Sequence, residues 1–254
     1  MASSDTAQAE TPREEVNSSG RISGLALLVA SAFFMEFLDG TVIATALPDM
    51  AKAFGVSAID LNIGISAYLL TLAMLIPASG WVAERFGART VFSLALLIFT
   101  VASLLCGLTH NVTEFVLMRI LQGVGGAMMV PVGRLVVLRT TPKNQLIKAI
   151  ATLTWPALVA PIIGPPLGGF ITTYASWHWI FFLNVPLGIV AIVLALRMMP
   201  GLSAEEKRPF DLQGFLATGI TMMCLVAGLE MFSQQHVSLA SAAATLVVGL
   251  LALV

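Results

Sequence analysis

Charge is what this sequence has least of. Of 254 residues only 11% are Asp, Glu, Lys or Arg, where a soluble domain carries about 25%. The 13 basic and 14 acidic residues nearly cancel, leaving a formal net charge of -1 and no basic stripe dense enough to track phosphates, so nucleic acid is not an expected partner. Cysteine is scarce too. Cys106 and Cys224 are the only two, and each lies in an apolar run, which argues against a disulfide framework or a thiolate metal site. His110, His178 and His236 are scattered singly; they read as interfacial polar side chains or, less simply, as metal ligands or proton sensors. No metal site and no cofactor is expected. The His-Glu-x-x-His and Gly-x-Ser-x-Gly patterns of hydrolytic sites are missing, so an enzyme is not expected either. What the chain does have is apolar surface: 57% of its residues are hydrophobic and its mean hydropathy is +0.92. Disorder is excluded over most of the length.

A membrane span needs about 20 mostly apolar residues. Runs of that kind cover roughly 22–47, 60–82, 90–109, 113–138, 146–174, 179–199, 211–232 and 237–254. Inside lipid a long continuous apolar segment satisfies its backbone only as a helix, so the fold class is an all-α polytopic membrane protein. Residues 1–21, with Asp5, Glu10, Arg13, Glu14 and Glu15, read as a disordered cytoplasmic tail. Residues 22–199 read as a six-span bundle, 200–210 as a cytoplasmic linker, and 211–254 as a seventh span plus a truncated eighth. The eighth run reaches Val254 without a polar anchor, so the chain is expected to be the N-terminal part of a longer polypeptide. A cleavable signal peptide fits poorly, because its apolar core should be only about 7–15 residues long. With loops numbered alternately, 11 Lys and Arg fall on the side of the N-terminus, Lys52 alone falls on the other, and Arg119 lies inside a span. That bias places the N-terminus in the cytoplasm.

Glu36 and Asp39 stand within the first apolar run and Arg119 within the fourth. Each costs roughly 2.5–3.5 kcal/mol at a helix centre, so each should face protein or water. Asp39 lies nine residues before Pro48, taken as the outer end of span one, and Arg119 lies eight after Asn111, taken as the outer start of span four. At about 1.5 Å per residue both sit ~12–14 Å below that surface. The two can pair if their helices touch. Such a pair is either an inert structural contact or a protonatable carboxylate whose charge a helix movement can tip. Glu36, one turn from Asp39, is open to three roles: binding a cationic substrate, holding the proton, or resting on a polar helix contact.

Four motifs follow in order. The first is Leu38-Asp39-Gly40-Thr41-Val42-Ile43-Ala44-Thr45-Ala46-Leu47-Pro48 in span one. The second, Gly80-Trp81-Val82-Ala83-Glu84-Arg85-Phe86-Gly87-Ala88-Arg89, joins spans two and three. In it Gly80 is suited to close helix contact, Gly87 to a tight turn, and Glu84 and Arg85 to interhelical ion contacts. The alternative is a plain turn carrying cytoplasmic charge. The third runs from Arg119 through Gln122, Gly123, Gly125 and Gly126 in span four; no Gly-Lys-Ser/Thr follows, so it is no phosphate cradle. The fourth, Ala160-Pro161-Ile162-Ile163-Gly164-Pro165-Pro166-Leu167-Gly168-Gly169 in span five, combines helix-bending prolines with Gly164, Gly168 and Gly169 as a smooth contact face. It is either a pivot or a kinked packing helix.

Together these motifs resemble the major facilitator superfamily, and within it the fourteen-span drug:proton antiporter branch of multidrug exporters. The resemblance covers residues 22–232. Departures are Glu84 where the family has Asp, Ala88 where it has Arg, and Ala160 where the first Gly of the antiporter signature is usual. The resemblance implies a six-helix N-terminal bundle followed by the start of an inserted helix pair. It also implies proton-coupled export of amphipathic small molecules by alternating access, in a bacterial inner membrane, with a missing C-terminal bundle completing the site. Asp39, Glu36 and Arg119 are then the proton-coupling residues, and Met35, Tyr68, Gln122 and Met128 cavity residues. Gly80, Glu84, Arg85, Gly87 and Arg89 form a cytoplasmic gating loop, and Gly164, Pro165, Gly168 and Gly169 the antiporter motif. For Met35 and Met128 ordinary helix packing is the simpler account. The alternatives are a facilitator or symporter for a metabolite, or a non-transporting membrane protein if 254 residues is the whole product.

Overall fold

The computed structural model describes residues 12–201, 209–233 and 239–252. Every regular element among them is helical. Helix α1 spans Pro12–Phe54. The expected tail of residues 1–21 is therefore helical from Pro12 onward; residues 1–11 lie outside the described residues. The helix also runs through Pro48, which was expected to end it, and stops at Gly55, whose φ is +68°. A proline near a helix end removes one backbone bond, and packed neighbours tolerate that loss.

Span two is assembled from α2 (Ala58–Leu61), α3 (Ile63–Leu75), a 3-10 turn at Ile76–Ala78 and α4 (Ser79–Phe86). Ser57 starts it, its hydroxyl oxygen accepting from the Asp60 N–H at 3.1 Å. Gly87, with φ +86°, makes the turn into α5 (Ala88–Cys106). α6 (Val112–Thr140) is capped by Asn111, which accepts from the Glu114 N–H at 2.9 Å. α7 (Leu146–Tyr174) carries four internal prolines, and the short α8 (His178–Phe182) breaks into α9 (Asn184–Met198). α10 (Leu212–Ser233) begins where Asp211 accepts from the Gly214 N–H at 2.8 Å, and α11 (Leu239–Leu251) follows. Residues 202–208 of the expected linker, and His236, lie outside the described residues.

Seven helical stretches among the described residues are long and apolar enough to cross a membrane: Ser23–Phe54, Ala58–Phe86, Ala88–Cys106, Val112–Thr140, Lys143–Tyr174, His178–Met198 and Leu212–Met231. Ala240–Leu251 is a shorter apolar helix. The protein is a multi-pass membrane protein.

α1 packs along α7 and also against α6 and α9; α5 lies between α6 and α9; α3 lies between α6 and α10; α10 pairs with α11. Two apolar clusters fill the bundle. One joins Leu25 to Met35 of α1 with Val91 to Phe99 of α5 and Met129 to Val137 of α6. The other joins Leu38 to Ala51 with Cys106, Phe115, Ile171 and Phe181. The polar residues Asp39, Arg119, Gln122 and Asn184 are buried in the same bundle.

Candidate functional site

α1 turns Asp39 inward because Leu38 and Val42, its neighbours on the same flank, belong to the apolar core. α6 brings Arg119 to the same level. Its Nη1 donates to Asp39 Oδ2 at 2.6 Å, and both side chains are 0% exposed. Nη1 also donates to Gln122 Oε1 at 2.6 Å, one turn along α6. Gln122 Nε2 in turn donates to Asp39 Oδ1 at 2.9 Å. The three residues close a ring in which each is oriented by the other two. The Arg119 guanidinium lies over the Tyr68 ring from α3, 4.2 Å from its centroid. A planar cation against an aromatic face is favourable, more so away from water. Cys106 Sγ, from α5, lies 3.7 Å from Gln122 Oε1.

Asn184 joins from α9. Its Nδ2 donates to Asp39 Oδ1 at 3.0 Å and to Ser103 Oγ at 3.1 Å. Asp39 thus accepts three side-chain hydrogen bonds, from two different helices. Sequence reasoning did not single out Asn184, which lies inside the sixth apolar run, 179–199. A lone amide in an apolar run, two residues before Pro186, was the available signal.

Glu36 stands apart from this ring. Its Oε2 and the Tyr68 hydroxyl are buried without a hydrogen-bond partner, as are Arg119 Nε and Nη2. The two unpartnered groups converge on Gly126: a methyl there would lie 3.2 Å from Tyr68 Oη and 3.4 Å from Glu36 Cδ. Met35 is buried in the core and Met128 packs beside it.

The loop residues divide. Gly87 makes the turn; Glu84 accepts from Arg139 Nη2 of α6 at 3.1 Å in a half-exposed pair; and Arg89 donates to the Leu196 carbonyl in the last turn of α9. Arg85 is exposed. Gly80 was expected at a close helix contact, but nothing lies within 4 Å of the place a Cβ would take, because the residue faces outward from α4. The fourth motif divides likewise. Gly164 packs on Thr41 and Gly168 on Thr45 and Val42, letting α7 approach α1 closely, whereas Gly169 has open space and leaves the expected contact face. The reason is rotation: Gly164 and Gly168 are four residues apart and share a flank, and Gly169 is turned about 100° away. Pro165 is exposed. One acid escaped sequence reasoning altogether. Glu230 of α10 accepts from Asn62 Nδ2 at 3.1 Å and from the Ser66 hydroxyl, tying α10 to span two.

Residues 29–254 match the family model described as Major Facilitator Superfamily. The putative multidrug resistance protein MdtD of Escherichia coli O139:H28 (strain E24377A / ETEC) is 44% identical over 227 residues, covering 89% of this chain and 48% of that protein. The putative multidrug resistance protein MdtD of Shigella flexneri matches to the same extent. Among solved structures, the POT family transporter PepTSo aligns with a TM-score of 0.65 at 14% identity, covering 96% of this chain and 52% of that one. The proton:xylose symporter XylE aligns with a TM-score of 0.64 at 14% identity, covering 83% and 50%. At such identities the structural likeness shows the fold alone. The chain belongs to the major facilitator superfamily, a family of transporters rather than enzymes. It spans about half the length of the curated relatives it matches.

Proposed function

We propose that the protein works in proton-driven export of amphipathic small molecules, cationic or neutral, by alternating access across a bacterial inner membrane. The N-terminus is cytoplasmic, the driving force is the proton gradient with no further cofactor, and a second helical bundle of the same polypeptide completes the site. The kinship with proteins named for multidrug resistance supports the cargo class. One observation carries the coupling: a fully buried carboxylate is held by a fully buried guanidinium from another helix.

Ionised Asp39 neutralises Arg119, and the bundle can pack tightly around the pair. A proton arriving from outside converts Asp39 to a neutral acid and leaves Arg119 as an uncompensated buried cation, which is strongly unfavourable. The strain is relieved when the helices shift or when the proton leaves toward the cytoplasm. Glu36, with a buried and unpartnered oxygen, is the group free to meet a positively charged cargo or to hold a proton of its own. Loading and unloading of Asp39 thus biases the bundle between two arrangements, which is what exchange requires.

The test is Asp39→Asn in the whole gene product, assayed in inverted membrane vesicles with a fluorescent cationic dye. Asn keeps the size and one acceptor but cannot lose a proton. With vesicles matched for the amount of inserted protein, since the variant leaves Arg119 unpaired and is less stable, we expect no dye movement driven by a pH gradient; movement at the wild-type rate would remove Asp39 from the mechanism.

A further inference from the structure

Asn184 is the first residue of α9, 1% exposed, and the ring of Asp39, Arg119 and Gln122 closes without it. What it adds is fixed by Ser103 of α5. The Ser103 hydroxyl donates to the Phe181 carbonyl at 3.0 Å, which commits its one proton. Its oxygen can then only accept from Asn184. If the amide were turned over, its carbonyl oxygen would face the Asp39 carboxylate on one side and a hydroxyl with no free proton on the other. The nitrogen therefore faces both, and Asn184 presents Asp39 with a donor and nothing else.

The donors on Asp39 are divided between elements. Arg119 and Gln122 ride on α6, and Asn184 rides on α9. A hydrogen bond to the charged form of a carboxyl favours that form. The other ionisable groups around Asp39 are Glu36 one turn away on α1, Tyr68 on α3 beneath Arg119, and Cys106 on α5 beside Gln122. On its remaining side Asp39 meets apolar chains, Leu167 and Ile171 of α7 and Ile180 of α8.

We propose that Asn184 is a positioning residue for proton exchange at Asp39, making ionisation of that acid conditional on α9 being seated against α1 and α5. This rests on Asp39 being the coupling group. The step is a simple protonation: an O–H bond forms on the carboxylate with a proton from outside, and the charge-assisted contact from Asn184 weakens. Departure of α6 alone leaves one donor on the acid, and departure of α9 alone leaves two. Asp39 is fully held only when both helices are in place, so its protonation state registers the fourth and sixth spans together.

The experiment uses the whole gene product with Asn184→Leu, which keeps the side-chain shape and removes the donor, and Ser103→Ala, which frees the amide to turn. Two readouts are taken: the pH dependence of dye transport in inverted vesicles, and an infrared titration of the carboxyl band identified by its loss in Asp39→Asn. For Asn184→Leu we expect both midpoints to rise by about one pH unit, the size of one charge-assisted hydrogen bond, with KM for the dye within about twofold of wild type. Ser103→Ala shifts both the same way by less, and it decides the matter if the Leu variant fails to accumulate. Infrared midpoints equal to wild type in the accumulating variants overturn the proposal. Continued pH-driven transport by Asp39→Asn instead overturns the coupling role of Asp39, and the infrared titration still judges Asn184.

Discussion

Arg119 spends one nitrogen on two partners. Nη1 serves Asp39 and Gln122, while Nε and Nη2 have no hydrogen-bond partner and the guanidinium lies against Tyr68. A pair this buried is weak evidence of stability, because desolvation offsets much of the attraction; removing one partner alone costs about 3–5 kcal/mol. We therefore expect Arg119→Met to lower the thermal unfolding temperature markedly in detergent. The double variant Asp39→Asn with Arg119→Met should recover most of that loss, and neither should couple dye movement to protons. Recovery of stability together with loss of transport would separate what the pair does for the fold from what it does for exchange. If the double variant is as unstable as the single one, the unpaired carboxylate is not the source of the cost.

At the scale of the element, the glycines sort by what their helix meets. A methyl on Gly125 of α6 would lie 2.7 Å from the Phe99 backbone nitrogen and 2.8 Å from the Ala95 carbonyl oxygen of α5. Backbone cannot rotate aside as a side chain can, so Gly125→Ala is expected to destabilise by about 1–3 kcal/mol. Gly169→Ala on α7, which meets nothing within 4 Å, should stay within about 0.5 kcal/mol of wild type. Thermal unfolding of the two variants side by side checks the contrast; equal losses would mean that α5 and α6 do not approach so closely. The spacing of the glycines was legible in the sequence. Which of them faces a neighbour was not, because helices apolar all round carry no stripe that fixes their rotation. Gly169 was misplaced for that reason.

Across the whole molecule, α10 attaches to the six-span bundle mainly along α3, and α11 attaches to α10. Glu230 is the polar part of that seam, accepting from Asn62 and Ser66, and α10 holds α11 through the Thr221 hydroxyl, which donates to the Gly249 carbonyl at 2.8 Å. Glu230→Gln keeps an acceptor and should leave the seam intact. Glu230→Ala leaves two polar side chains unpaired and should weaken it by about 1–3 kcal/mol. Hydrogen exchange along α10 reads the difference directly: faster exchange in the Ala variant only is the expected result, and identical protection in both would show that apolar contact alone holds the helix.

Length and hydropathy placed seven of the eight expected runs on helices long enough to cross a membrane, because the cost of an unsatisfied backbone or an unpaired charge in lipid falls on each segment separately; the eighth run is a shorter apolar helix among the described residues. Counting residues from Pro48 and from Asn111 put Asp39 and Arg119 at one level, and their 2.6 Å contact bears that level out, although α1 continues to Phe54 and Pro48 is not the helix end from which the depth was counted. Rotation about the axis is not local. That Asp39 rather than Glu36 meets the guanidinium, that Asn184 supplies a third donor, and that Glu230 finds Ser66 and Asn62 all depend on how several helices turn to pack against one another at once.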